Sequence, residues 1–162
     1  MRLQQKIVSL ASLKKKLVSL RKQRKVIAFT NGCFDIIHAG HVSYLEKAKG
    51  KNRVLIIGLN SDSSVKKIKG PKRPIVTEKE RALVLAALSC VDFVTIFKEE
   101  TPYNLIKALA PDVLIKGADW KEKKAVGSDI VEAKGGKVEY IRYIPHCSST
   151  NIIKTILTKC VK

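Results

Sequence analysis

Five short runs rich in branched and aromatic residues recur along the chain: VIAFT (26–30), RVLIIGL (53–59), VDFVTIF (91–97), DVLIK (112–116) and KVEYI (137–141). Most do not alternate between apolar and polar residues, which is the pattern of strands buried on both faces. Helical stretches lie between them, at about 40–49, 61–67, 77–89, 102–109 and, shorter, near 127–134, with a last one at 149–160. Strand and helix alternating five times predicts an α/β fold, a five-stranded parallel sheet with helices on both faces and right-handed crossovers. Ligands of such sheets bind beyond the carboxyl ends of the strands.

The 162 residues, 45% of them apolar, suit one domain with a core of its own. No run of about 18 uncharged apolar residues is present, so no membrane span is expected. Four cysteines (Cys33, Cys90, Cys147 and Cys160) are scattered without a Cys-x-x-Cys pair, and no secretory leader pattern opens the chain. That usage fits a reducing cytoplasm and supports neither a disulfide framework nor a metal cluster.

Leu3, Ile7, Leu10, Leu13, Leu17 and Leu20 recur at steps of three and four, predicting an amphipathic helix over 2–22. Residues 1–25 therefore read as a basic helix ahead of a domain over 26–162. An acid-free, basic start also matches a transit peptide; the continuous apolar stripe favours a docked helix. The same segment supplies half of the formal net charge of +18. Such a surplus gathers anions, whether nucleic acid, acidic lipid or phosphorylated metabolites, although a solvated helix face carries charge equally well. An RNA-binding module is the reading from another class, and the absence of an RNP-like aromatic cluster argues against it.

The stretch TNGCFDIIHAGH (30–41) leaves the first strand and enters a helix. Gly32 lets the backbone turn, and His38 and His41 fall at the start of that helix, where free amides and the positive dipole end favour an anion. Gly40 lacks a side chain, which would let a ligand approach the backbone. Spacing of three puts both imidazoles on one face. A metal site is the competing reading, but Asp35 is the one carboxylate nearby and a tetrahedral set is not evident; two core histidines are the other. No Walker loop, G-x-G-x-x-G or G-x-S-x-G elbow is present, which disfavours P-loop kinases, NAD enzymes and α/β-hydrolases.

Gly32-Cys-Phe-Asp35-Ile-Ile-His38-Ala-Gly-His41 resembles the G-x-F-D-x-x-H-x-G-H element of the nucleotidyltransferase superfamily that includes the cytidylyltransferases, with a Rossmann-like sheet. The resemblance is strongest to the heptose 1-phosphate adenylyltransferases of bacterial ADP-heptose synthesis. It runs through FTNGCFDIIHAGHVSYL, GLNSDSSVKKIKGPKRPI, ERALVLAAL, VLIKGADW and CSSTNIIK in order.

The resemblance implies ATP and D-glycero-β-D-manno-heptose 1-phosphate as substrates, ADP-heptose and pyrophosphate as products, Mg²⁺, and a role in lipopolysaccharide core assembly. CTP with glycerol 3-phosphate, or another phosphorylated alcohol, is the alternative within the same chemistry. His38, His41 and Lys69 would be catalytic. Thr30, Asn31, Gly32, Phe34, Gly40, Lys116, Gly117, Asp119, Cys147, Ser148 and Thr150 would hold the nucleotide. Asp35, Lys72, Arg73, Arg81 and Trp120 would face the acceptor, with Asp35 also suited to holding the loop. Ile153 stands where the wider superfamily has Arg, with Lys154 one later, and His146 replaces a common Gly. Likeness also implies a homodimer, with the stripe of the first helix a plausible interface.

Overall fold

The computed structural model describes residues 3–118, 124–145 and 147–160. Its strands are β1 (Val26–Gly32), β2 (Arg53–Asn60), β3 (Phe93–Phe97), β4 (Val113–Gly117) and β5 (Lys137–Ile141). They form one parallel sheet in the order β3-β2-β1-β4-β5. The helices among the described residues are α1 (Leu3–Lys6), α2 (Leu10–Lys22), α3 (Ala39–Lys49), α4 (Asp62–Lys69), α5 (Glu78–Ala87), α6 (Tyr103–Leu109), α7 (Ser128–Glu132) and α8 (Ser149–Cys160). The expected fold class is therefore present, with element ends within a few residues of the sequence pattern.

The pleat divides the strand residues between two cores. Ala28, Leu55, Ile57, Val94 and Ile115 face one side, where Leu45 and Ala48 of α3 and Ala82 and Leu85 of α5 cover them. Ile27, Phe29, Ile56 and Leu114 face the other, against Leu13 and Leu17 of α2 and Leu105, Ile106 and Leu109 of α6. Helices on both faces explain why these strands do not alternate: both sides of each strand meet apolar neighbours.

The start of the chain differs from the single helix expected over 2–22. Helix α1 stops at Lys6, Ile7 pairs in parallel with Val94, and the Val8 amide donates to the Val94 carbonyl at 2.9 Å. Ser9 then caps α2, its hydroxyl accepting from the Ser12 amide at 3.2 Å. An open strand edge and a side-chain cap together outweigh continued helix here, because both satisfy backbone groups that the turn would otherwise leave to water. Within the apolar stripe Leu13 and Leu17 are buried on the chain's own sheet, while Leu3 stays exposed. No helix among the described residues is long and apolar enough to cross a membrane.

Candidate active site

The carboxyl ends of β1, β2 and β4 open into a cavity of about 530 Å³. It lies where chain order departs from β1 in both directions across the sheet, the switch point at which open α/β sheets bind ligands. Asn31 and Gly32 end β1, Asn60 ends β2, Lys116 stands near the end of β4, and His41 sits in the first turn of α3. Lys69 ends α4, while Ser149 and Thr150 open α8. One element after another thus delivers a polar residue to the same opening.

Phe34 shapes the turn after β1. Its backbone is left-handed at φ 45° and its ring is buried against Gly32, where a Cβ would come within 3.0 Å of it. The same ring meets His41 at a centroid distance of 5.2 Å. Gly40 also sits close to protein groups. A Cβ there would lie 2.9 Å from Cys147 Cβ and 3.0 Å from the His38 ring, so the glycine makes room for protein groups.

His38 is the N-cap residue of α3 but makes no side-chain cap. Its ring stacks on His41 instead, with centroids 3.9 Å apart and planes 25° from parallel. Nδ1 of each ring is buried without a hydrogen-bond partner among the described residues. Burial lowers the pKa of both rings; His41, which also feels His38 while a backbone hydrogen bond at Ile36 opposes the shift, falls to about 4. Near neutral pH both imidazoles are therefore uncharged N–H donors. His41 lies on the cavity wall and His38 stands beside it.

Asp35 is the hub of the loop between α4 and α5. It accepts from Arg73 Nε at 2.6 Å, from the Ile75 amide at 2.8 Å and from the Val76 amide at 2.9 Å. With both oxygens committed it holds the loop and fixes Arg73 on the wall. Of the two roles open to it in the sequence, loop anchor is the one its bonds describe.

Two residues expected to contact ligand lie behind the wall in the free chain. The Arg81 side chain is 0% exposed. Its Nε donates to the Val76 carbonyl, Nη1 to the Cys33 and Asn60 carbonyls, and Nη2 to Asp62 Oδ1, at 2.5–2.9 Å. A buried guanidinium needs such acceptors, and through them Arg81 frames the site. Thr30 is likewise fully buried, hydrogen-bonded to the Tyr44 hydroxyl at 2.8 Å behind the wall.

Lys116 does reach the cavity, and its ammonium donates to Asn31 Oδ1. Burial lowers its pKa to about 8. Ser148 caps α8 through the Asn151 amide at 3.1 Å, and the Ser149 hydroxyl donates to the Ile36 carbonyl at 3.1 Å, tying α8 to the histidine segment. Thr150 is on the wall; Gly117, Cys147 and Ser148 lie off it, as does the exposed Lys72. Asp119, Trp120 and His146 lie outside the described residues.

Sequence reasoning passed over Asn60, Glu100, Thr101, Tyr143 and Ser149, all of which line the cavity. The rule that ligands gather past the strand ends pointed to Asn60, which ends β2, and to the Glu-Thr-Pro segment after β3. Among the described residues no group of three or more His, Cys, Asp or Glu side chains is placed to hold a metal ion.

A cytidylyltransferase-like family model matches residues 29–157. The chain belongs to the cytidylyltransferase-like family. Members of this family are nucleotidyltransferases and use a nucleoside triphosphate, which agrees with the element recognised at 32–41. Among curated relatives of this cytidylyltransferase-like chain, "Bifunctional protein HldE" of Geobacter metallireducens is 55% identical over 133 residues, 82% of this chain and 27% of that protein. The protein of the same name from Helicobacter pylori is 50% identical over 148 residues, 91% of this chain and 31% of its own length. The chain thus spans about three tenths of the length of these relatives. A solved structure described as a lipopolysaccharide core biosynthesis protein from Thermoplasma volcanium superposes with a TM-score of 0.61 at 25% identity, covering 75% of this chain and 98% of that one.

Proposed function

We propose that the chain transfers the adenylyl group of ATP to D-glycero-β-D-manno-heptose 1-phosphate, giving ADP-heptose and pyrophosphate for lipopolysaccharide core assembly. The observation that carries this reading is the stacked His38–His41 pair beside a cavity that also presents Lys69, Arg73 and Lys116. Identity of about half to proteins named HldE supports the choice of acceptor. The reading makes 26–162 the catalytic domain, with 1–25 packed against it, and sets the protein in the cytoplasm as a homodimer whose partners are small molecules.

In this mechanism an oxygen of the sugar phosphate attacks the α-phosphorus of ATP. The bond from that phosphorus to the bridging oxygen breaks, and pyrophosphate leaves in line with the attack. The attacking phosphate is already ionised, so no general base is required. Catalysis then rests on positioning and on neutralising charge. His41 and His38 donate N–H groups to phosphoryl oxygens without contributing charge of their own. Lys69 and Arg73 neutralise the departing pyrophosphate or the sugar phosphate, and Lys116 meets the nucleotide from β4.

Mg²⁺ fits this site as the ion that arrives with the triphosphate, since such ions are bound largely by phosphates and water with few carboxylates. It supplies charge neutralisation on the phosphates. Asp35 has no uncommitted oxygen to offer it.

The test is pyrophosphate release from ATP or CTP, each paired with heptose 1-phosphate or glycerol 3-phosphate. ATP with heptose 1-phosphate is expected to turn over best; preference for CTP with glycerol 3-phosphate overturns the reading. A pH profile checks Lys116. Its amine is charged below about 8 in the free protein and neutral above, so kcat/KM for ATP should fall on the alkaline side with an apparent pKa near that value. The limb should vanish in Lys116→Met. Persistence of the same limb in that variant would remove Lys116 from nucleotide binding.

A further inference from the structure

The wall of the cavity has two chemically distinct sides. On one stand His41 and the opening residues of α8, Ser149 and Thr150, which suit phosphate. On the other, past the ends of β2 and β3, stand Asn60, Glu100, Thr101 and Pro102. A carboxylate there is unexpected in a cavity meant for polyanions, because it repels phosphate at short range.

Among the described residues only Asp35 and Glu100 bring a carboxylate to this wall. Asp35 is saturated by Arg73 and two amides, and its side chain is 2% exposed. Glu100 is the opposite case. Among the described residues its one ion pair, to Lys67, is 3.9 Å long and joins two side chains each more than 60% exposed. At that length the contact is no hydrogen bond, and such exposed pairs hold their partners weakly. Among the described residues no hydrogen-bond donor occupies the Glu100 side-chain oxygens. Within a phosphate-binding cavity the donors that a free carboxylate suits are hydroxyls, and a carboxylate can accept from two neighbouring hydroxyls at once.

We propose that Glu100, with Thr101 beside it, forms the subsite for the polyol portion of the acceptor, accepting hydrogen bonds from sugar hydroxyls. The phosphate of the same molecule is left to Lys69 and Arg73. The proposal rests on the sugar-phosphate reading above and adds the residue that recognises the sugar. Within the cavity the phosphates then face the histidines, α8, Lys69 and Arg73, and the hydroxyls face Glu100 and Thr101.

The experiment compares wild type with Glu100→Gln and Glu100→Ala in pyrophosphate release. Loss of a hydrogen bond to a charged group corresponds to about 10- to 100-fold in binding, so KM for heptose 1-phosphate should rise by that factor in the alanine variant and by less in the glutamine variant. KM for ATP and the Mg²⁺ requirement should stay put. A rise in KM for ATP or in the Mg²⁺ requirement would move Glu100 to the nucleotide side and overturn the proposal, and so would unchanged KM values throughout. Calorimetric titration of heptose 1-phosphate into each protein without nucleotide reads the subsite apart from turnover. Binding weakened by the substitutions, in a wild type that does not turn over ATP, would sink the proposed reaction and leave the subsite standing. Equal binding by all three proteins, or none, would sink the subsite.

Discussion

His41→Ala is expected to lower kcat by about 10²- to 10³-fold, the range for losing one preorganised donor to a transition state. The ring is on the cavity wall, and its Nδ1 has no hydrogen-bond partner among the described residues. The fold should survive, because what alanine removes is a ring stacked on His38 and tilted against Phe34, and no anchor of the sheet. His38→Ala should cost turnover on the same scale, since the two rings act as a stack.

Thermal unfolding against pH supplies the control. The His41 pKa is depressed in the folded state, so the folded chain binds fewer protons than the unfolded one as pH falls from 6.5 toward about 4. Stability present above that window is lost within it. The alanine variant should lose less over the same range, and kinetic comparison on the neutral side avoids the effect. A purified, folded His41→Ala protein with wild-type kcat would remove the imidazole from the chemistry.

Arg81→Met should have the largest effect on stability, roughly 3 kcal/mol or more, because it strands buried acceptors while leaving volume nearly unchanged. The carbonyls of Cys33 and Asn60 lose the guanidinium that joins the turn after β1 to the end of β2. Asp62, one-third exposed, can turn to water, which limits the cost. A loss of that size lowers Tm by roughly 6–12 °C in a chain of this length. Differential scanning calorimetry measures it. Wild-type Tm together with a raised acceptor KM would mean that Arg81 meets substrate directly, contrary to its burial here.

The sheet was legible because burial on both faces leaves a compositional trace: Leu55, Ile56 and Ile57 are consecutive and all fully buried. The histidine segment was legible because its residues are contiguous and their spacing is itself the geometry. The break at Ile7–Ser9 was harder to read, since the three- and four-residue apolar steps run through it. Ser9 offered a capping signal, yet the pairing with Val94 lies 87 positions away. The bonding of Arg81 is hidden from the sequence for a related reason. Three of its four partners are backbone carbonyls, which every residue has, so no residue type announces them. Glu100 escaped notice because a lone acid on a loop resembles ordinary surface until the cavity around it is seen.

The pairing of Ile7 with Val94 bears on how the protein behaves in crowded solution. A bare outer strand invites a neighbour's chain to add itself and begin aggregation, and natural proteins blunt such edges with charge or by covering them. One border of this sheet is met at Val94 by the leading segment; the opposite border carries Lys137 and Glu139. Solubility on the β3 side thus depends on a few residues that touch none of the chemistry, and peeling them away would endanger the protein before it impaired the reaction.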